Sequence, residues 1–158
     1  MLDASAFYAG IPFLSPGRYC TTQSVFDEVK HIKKSLGVIE AALEAGSLQV
    51  INPDKDSVEK AKAAAKKTGD YAKLSLADFS VIALALQLKI ALLTDDYAVA
   101  NVATALTIPV QSSSGKGLKE RRKWIAYCSA CGKAFGPNAN ECRLCGNKLR
   151  RKYKITRS

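Results

Sequence analysis

Four of the five cysteines in this 158-residue chain fall in the order Cys128-x₂-Cys131-x₁₀-Cys142-x₂-Cys145. Two Cys-x-x-Cys knuckles can set four thiolates tetrahedrally about one Zn²⁺, each sulfur about 2.3 Å from the ion. Gly132 and Gly146 directly follow the second cysteine of each pair, where a tight turn lets backbone N–H groups reach sulfur. Four thiolates fill the coordination sphere, so the site is closed and structural. A redox dithiol or disulfides are the competing uses, and two spaced pairs in an intracellular protein favour metal. Cys20 is left over and reads as a buried structural thiol.

The second chemically capable set is acidic and scattered: Asp3, Glu28, Asp78 and the pair Asp95-Asp96. Each alone has a structural account. Asp78 completes Ser75-x-x-Asp78, a capping-box pattern; Glu28 suits a solvated helix position, and Asp95-Asp96 suit a turn. Brought together, the four segments would repel one another. A hard divalent cation such as Mg²⁺ or Mn²⁺, which prefers oxygen ligands in octahedral geometry, offsets that repulsion. The usual chemistry of such a site is phosphoryl transfer, with paired ions about 3.5–4 Å apart. His31, the one histidine, lies three residues beyond Glu28 and reads as a surface or ion-paired residue. There is no glycine-rich phosphate loop, no Ser/His/Asp set and no cofactor fingerprint.

The elements that must position these acids alternate in type. A strand end at Met1–Asp3 leads into a helix at Ala4–Tyr8, and Arg18–Thr21 reads as a strand. The next helix, capped by Thr22 or Ser24, places Val25, Phe26, Val29, Ile32 and Leu36 on one face. A helix near Val38–Ala45 ends at Gly46; Leu48–Ile51 is a strand; Asp54–Lys67 is an Ala/Lys-rich surface helix that stops at Gly69. Ser75–Leu88 is the most apolar helix, followed by a strand at Ile90–Thr94, a helix at Tyr97–Leu106 and a strand at Ile108–Val110. This alternation predicts an α/β domain, a parallel sheet covered by helices on both faces. In such a sheet, sites form beyond the C-terminal strand ends, where Asp3 and Asp95-Asp96 lie.

Composition places the remainder. Apolar residues make up 47% and charged residues 24%, which excludes a fully disordered chain. The longest apolar run, Val81 to Leu86, is far too short to cross a bilayer. Asp3 stands where a secretory signal would be basic, so the expectation is a soluble, cytoplasmic protein with no membrane partner. The formal charge of +10 is unevenly spread: residues 115–158 hold 13 Lys/Arg against Glu120 and Glu141. The first part is therefore near neutral, and the basic end points to a polyanion, nucleic acid above all. Gln111–Gly117, a Gly/Ser-rich stretch, marks the junction. Around the knuckles lie Lys119, Arg121, Arg122, Lys123, Lys133, Arg143, Lys148, Arg150, Arg151, Lys152 and Lys154. Such cations neutralise phosphates, while aromatic side chains stack on unpaired bases. Trp124 and Phe135 are expected in the ribbon core and Tyr153 at the RNA contact or in the fold.

Asp3-Ala4-Ser5-Ala6-Phe7 resembles the opening Asp-x-Ser motif of PIN-domain nucleases. Glu28 in Ser24-Val25-Phe26-Asp27-Glu28-Val29 is similar to that family's second acid. Ser75-Leu76-Ala77-Asp78 and Leu92-Leu93-Thr94-Asp95-Asp96 resemble its third and fourth motifs. The resemblance implies metal-dependent RNA hydrolysis with Asp3, Glu28, Asp78 and Asp96 as the acids, Mg²⁺ or Mn²⁺ as one or two ions, and Asp95 as a possible additional ligand. Ser5 and Thr94 would orient carboxylates or water.

The stretch Asp95-Asp96-Tyr97-Ala98-Val99-Ala100-Asn101-Val102-Ala103, together with the four-Cys ribbon and basic end, resembles the Nob-type (NIN-one-binding) endonucleases, archaeal members in particular. The expected division is a PIN-like domain at 1–112, a linker at 113–122, a rubredoxin-like zinc ribbon at 123–150 and a basic tail at 151–158. That family implies a cut in precursor ribosomal RNA that forms the 3′ end of small-subunit rRNA, with the small ribosomal subunit as partner. Two other readings stay open: a PIN-type toxin acting on tRNA or mRNA, and a non-catalytic RNA-binding assembly factor.

Overall fold

The computed structural model describes residues 1–14, 17–30, 36–112 and 121–156. His31, Ile32 and most of the expected linker, residues 113–120, lie outside the described residues. In chain order the elements are α1 (Ala4–Tyr8), α2 (Ile11–Leu14), β1 (Tyr19–Thr21), α3 (Gln23–Val29), α4 (Leu36–Glu44) and β2 (Leu48–Val50). They continue with α5 (Lys55–Thr68), a 3₁₀ turn (Tyr71–Lys73), α6 (Leu76–Leu88), β3 (Leu92–Leu93), α7 (Tyr97–Ala105) and β4 (Val110–Gln111). The basic end supplies β5 (Arg121–Tyr127), β6 (Ala134–Phe135) and β7 (Arg150–Thr156).

Two short parallel pairs, β1 with β2 and β3 with β4, make up the sheet of residues 1–112. The first three residues join them. Leu2 bridges Leu93 in parallel and its N–H donates to the Cys20 carbonyl at 2.8 Å. The Leu93 N–H returns a bond to the Met1 carbonyl, and the buried Thr21 hydroxyl donates to the Leu2 carbonyl. Strands here are shorter than their apolar runs suggest, for a local reason. Lys89 ends α6 in the left-handed conformation, and the Ile90 N–H bonds back to the Ala85 carbonyl, which delays β3 to Leu92. Leu36 likewise starts α4, although its spacing from Val29 suggested one continuous face with α3.

Helix α6 explains the compactness of this part. Ala77, Phe79 and the whole run Val81–Ala85 are buried, so the helix is apolar on every side and packs against α3, α5 and α7. Val25, Val29, Ile39, Leu48, Leu92, Val99 and Val102 complete the core. Local stops are where the residue types place them: Asp54 caps α5 through the Ser57 N–H, and Gly69 ends it at φ +84°. Among the described residues no helix is long and apolar enough to cross a membrane.

The ribbon is a three-stranded antiparallel sheet in the order β6-β5-β7. Residues beyond Arg150 run as strand β7 along the whole of β5, Arg121 opposite Thr156 and Tyr127 opposite Arg150. The sheet docks on the end of α5. Trp124, expected in the ribbon core, instead faces the helical part before it: the Lys73 ammonium sits 4.1 Å from its ring centroid and the Tyr153 ring meets it edge-on. The reason is strand alternation, which puts Trp124, Ala126, Arg151 and Tyr153 on one face of the β5–β7 pair. The Arg151 guanidinium donates to the Gly69 carbonyl. Next to it, buried Asp70 accepts from Asn101 of α7 at 2.6 Å.

Gly69 is thus both a helix stop and the floor of the docking contact. A Cβ there would stand 2.5 Å from the Pro137 Cβ and 2.9 Å from the Trp124 Cβ, on a backbone whose φ already disfavours L side chains. Gly69→Ala is expected to cost about 2 kcal/mol or more, read as a lowered midpoint in urea unfolding.

Candidate active site and cysteine cluster

The parallel bridge of Leu2 with Leu93 puts Asp3 beside Thr94 at the C-terminal ends of neighbouring strands. Asp3 is 4% exposed and takes bonds from three neutral donors. The Thr94 hydroxyl donates to its Oδ2 at 2.6 Å, the Ser5 hydroxyl to the same oxygen at 3.2 Å, and the Ala4 N–H to Oδ1 at 2.7 Å. Thr94 in turn accepts from the Asp96 N–H, and Ser5 accepts from the Asp95 N–H, both at 3.0 Å. One hydroxyl network therefore ties the first acidic segment to the last. Ser5 and Thr94, singled out in the sequence, sit between carboxylates and backbone.

Three of the four acids begin helices. Asp3 is the N-cap of α1, and Asp96 caps α7 through the Ala98 and Val99 N–H groups. Asp78 shares a capping box with Ser75, each side chain accepting the other's backbone N–H. Its cap role does not exclude a second one, since one carboxylate oxygen takes the bond and the other is left over. A 2.6 Å contact between the Thr22 and Ser80 hydroxyls draws α3 against α6, and with it Glu28 toward Asp78. Nothing in the local sequence announced that pair, because it joins two residues 58 positions apart.

The charges sense one another. Burial pushes the Asp3 carboxyl above the ordinary carboxylate range; the Thr94, Ala4 and Ser5 bonds oppose this, and the Asp78 charge adds to it. Glu28, on the exposed side, is also raised, by partial desolvation and then by the Asp78 and Asp3 charges. Among the described residues, none of Asp3, Glu28, Asp78 and Asp96 forms an ion pair with Lys or Arg. Oxygen-only donors that sense one another's charge without a counter-cation are the residue types Mg²⁺ or Mn²⁺ prefers, so these residues fit such an ion. Their carboxylates stand apart: among the described residues the four cysteines are the group whose ligand atoms all lie within 4.8 Å. Asp95 differs from the rest, its carboxylate accepting from the Ser112 hydroxyl.

The four sulfurs are brought together by two copies of one turn. The Gly132 N–H bonds to the Cys128 carbonyl and the Gly146 N–H to the Cys142 carbonyl, each at 2.9 Å with the glycine at positive φ. Sulfurs from opposite knuckles approach closely, Cys128 to Cys145 at 3.4 Å and Cys131 to Cys142 at 3.6 Å. The Cys131 N–H, foremost, pulls the Cys128 thiol down to about 6. Cys145 is pushed up to about 12: the Asn147 N–H lowers it, but the neighbouring Cys128 and Cys142 thiols outweigh that bond. Four thiols this close cannot all ionise unaided, and a dication relieves the conflict. The cluster fits a zinc ion.

Of the residues expected to meet nucleic acid, Lys133, Arg143, Lys148, Arg150, Arg151, Lys152 and Tyr153 are exposed. Lys119 lies outside the described residues, and for Arg121, Arg122, Lys123 and Lys154 the backbone alone is described, in β5 and β7. Cys20 is half-buried, its thiol raised by that burial.

An α/β fold with helix-borne acids at the strand ends defines a PIN-domain ribonuclease, and residues 1–88 match the family model described as "PIN domain of ribonuclease". The Endoribonuclease Nob1 of Methanocaldococcus jannaschii is 36% identical over 96% of this chain and 76% of its own length. A Ribonuclease VapC1 of Thermoplasma acidophilum is 32% identical over 97% of this chain and 77% of its own length. The yeast 20S-pre-rRNA D-site endonuclease NOB1 (Saccharomyces cerevisiae) is 35% identical over 50% of this chain and 17% of its own. The chain belongs to the PIN-domain ribonucleases and, among them, to the Nob1 endoribonucleases.

Asp78→Asn keeps an acceptor for the Ser75 N–H and removes one negative charge. In metal-free protein the titration midpoints of Asp3 and Glu28 should both move down, since the Asp78 charge raises each. Side-chain carboxyl NMR titrations of wild type and variant measure it.

Proposed function

We propose that this endoribonuclease cleaves precursor ribosomal RNA to form the 3′ end of small-subunit rRNA, acting in the cytoplasm on the maturing small ribosomal subunit. The observation that carries the reading is the cluster of Asp3, Glu28 and Asp78 without a counter-cation among the described residues, in a chain similar along nearly its full length to an archaeal Nob1. The yeast relative, named for a pre-rRNA cut, supports the choice of substrate.

In this reading Asp3, Glu28, Asp78 and Asp96 hold one or two Mg²⁺ or Mn²⁺ ions, with Asp95 as a further acid at the rim. A bound divalent ion polarises the phosphate, helps deprotonate the attacking water and offsets charge on the departing oxygen. Asp3 is held in place by Thr94, Ser5 and the Ala4 N–H, so the remaining lone pair of its Oδ1 keeps a fixed aim. Thr94, bonded to both Asp3 and the Asp96 N–H, keeps the two acids in step. Residues 1–112 form the nuclease domain and 113–122 the linker, whose last two residues open β5; 123–150 form the ribbon and 151–158 its basic end, residues 151–156 of it paired into the ribbon as β7. Lys119, Arg121, Arg122, Lys123, Lys133, Arg143, Lys148, Arg150, Arg151, Lys152, Tyr153 and Lys154 contact the RNA in varying degree.

One structural Zn²⁺ is held by Cys128, Cys131, Cys142 and Cys145. The ribbon buries few side chains of its own, Ala126, Cys128 and Cys142 among them, so its fold leans on the metal. Elemental analysis should find one zinc per chain. Removing it with a strong chelator should collapse the amide NMR signals of residues 121–156 and leave those of the nuclease core dispersed.

The decisive experiment is cleavage of an RNA spanning the 3′ end of precursor small-subunit rRNA, with Mn²⁺ or Mg²⁺, by wild type and Asp3→Asn. A single metal-dependent cut at the mature end, at least about a hundredfold slower in the variant, is expected. Scattered cuts would overturn the rRNA assignment while keeping the nuclease. Tight binding with no cut would move the protein to the assembly-factor reading.

A further inference from the structure

Docking of the ribbon on α5 encloses a cleft of about 390 Å³ between the two parts, within the range of small-ligand sites. Its walls come from both. The nuclease part contributes Lys66 and Tyr71; the ribbon contributes Pro137, Asn138, Asn140 and Arg151. Two cations and no carboxylate line it. It is separate from the acidic cluster, and the charge logic is reversed.

The aromatic wall is Tyr71. Its ring rests on Phe79, centroids 5.3 Å apart, and remains 39% exposed. The Lys66 ammonium lies 5.2 Å from the ring centroid. A long, exposed lysine over an aromatic face is readily displaced, and once displaced it stands beside whatever has taken its place. Arg151 is anchored by one N–H on the Gly69 carbonyl, which leaves the rest of its five donors for an anion. Asn138 and Asn140 are exposed at the mouth and carry both donors and acceptors.

A flat aromatic face, amides able to meet a base edge and two cations without an acid form the chemistry of an unpaired nucleotide's base and phosphate. We propose that this cleft is a subsite for one unpaired ribonucleotide of the substrate, its base stacked on Tyr71 in place of Lys66 and its phosphate held by Lys66 and Arg151. The inference rests on the reading of this chain as an RNA nuclease. It assigns a role to the docking itself, because neither part alone supplies both the ring and the second cation. Asp70 of the same turn is bonded to Asn101 of α7, whose N-cap is Asp96. Five residues of helix, about 7 Å of axis, separate the two ends. A strand seated in the cleft is thereby registered against the acidic end of α7.

The test is equilibrium binding of a fluorescent oligouridylate to the full chain without added divalent ion, over a series of salt concentrations. Tyr71→Ala should weaken binding about tenfold with an unchanged salt slope. Tyr71→Phe, which keeps the ring, should stay within about twofold of wild type. Lys66→Gln should lower the slope by about 0.7, the loss of one phosphate contact on a single strand. Wild-type affinity in Tyr71→Ala, or equal losses in Tyr71→Ala and Tyr71→Phe, would overturn the subsite. Should Tyr71→Ala fail to fold, Lys66→Gln and Asn138→Ala decide alone, and wild-type affinity and slope in both would overturn it. A wild-type chain that bound no RNA would overturn the nuclease reading as well, whereas tight wild-type binding with indifferent variants removes the cleft only.

Discussion

The structure depends first on a contact only three residues long. Met1–Asp3 is the seam between two parallel pairs that would otherwise be separate ribbons: Leu2 bonds to Cys20 on one side, and Met1 and Asp3 bond to Leu93 on the other. Isolated two-stranded pairs are marginal in water, so the seam matters to the whole core. The same pairing fixes Asp3 opposite Thr94, and the short Thr94 bond then holds a buried carboxylate in place. Folding of the sheet and aim of the acid are one event. An acid buried against other acids is an unfavourable arrangement for an apoprotein, and the neutral hydroxyls around it offset only part of that cost.

Helix starts supply the remaining compensation. α1, α6 and α7 begin at Asp3, beside Asp78 and at Asp96, so electropositive N-termini are turned toward carboxylates. The ribbon solves the converse problem, since its charge is positive and spread over an exposed surface, while its fold leans on a cluster of sulfur. The two parts meet at the end of α5 through Gly69, Lys73, Trp124 and Arg151. That contact leaves the basic strands on the same body as the acidic residues.

What was legible in the sequence was local. Thr22 and Ser75 as caps, Gly46 and Gly69 as stops, the Cys-x-x-Cys knuckles with their glycines and the four acidic motifs all act within a few residues of themselves. Element types followed, and the class of protein with them. Lost were the features set by distant partners. Trp124 looked like a core residue because it is large and apolar, yet its own face of the strand meets Gly69, 55 positions back in the sequence. The Thr22–Ser80 and Asp70–Asn101 bonds involve ordinary polar residues that carry no signature. Strand ends were overestimated because a long apolar run says nothing of where a left-handed lysine will close the preceding helix.

Three of the four acids serve the fold as well as the charge cluster, for each satisfies backbone N–H groups at a helix start. Glu28 is different: it stands on an exposed face in the last turn of α3, with neither cap nor ion-pair partner among the described residues. Its drift through a lineage is therefore unconstrained by folding. In a descendant that had given up phosphodiester hydrolysis, Asp3, Asp78 and Asp96 would persist as scaffolding, and a motif search would still report an intact nuclease. The second acid alone would record the loss, so in this architecture the least structurally supported position is the most informative about whether the chemistry is still under selection.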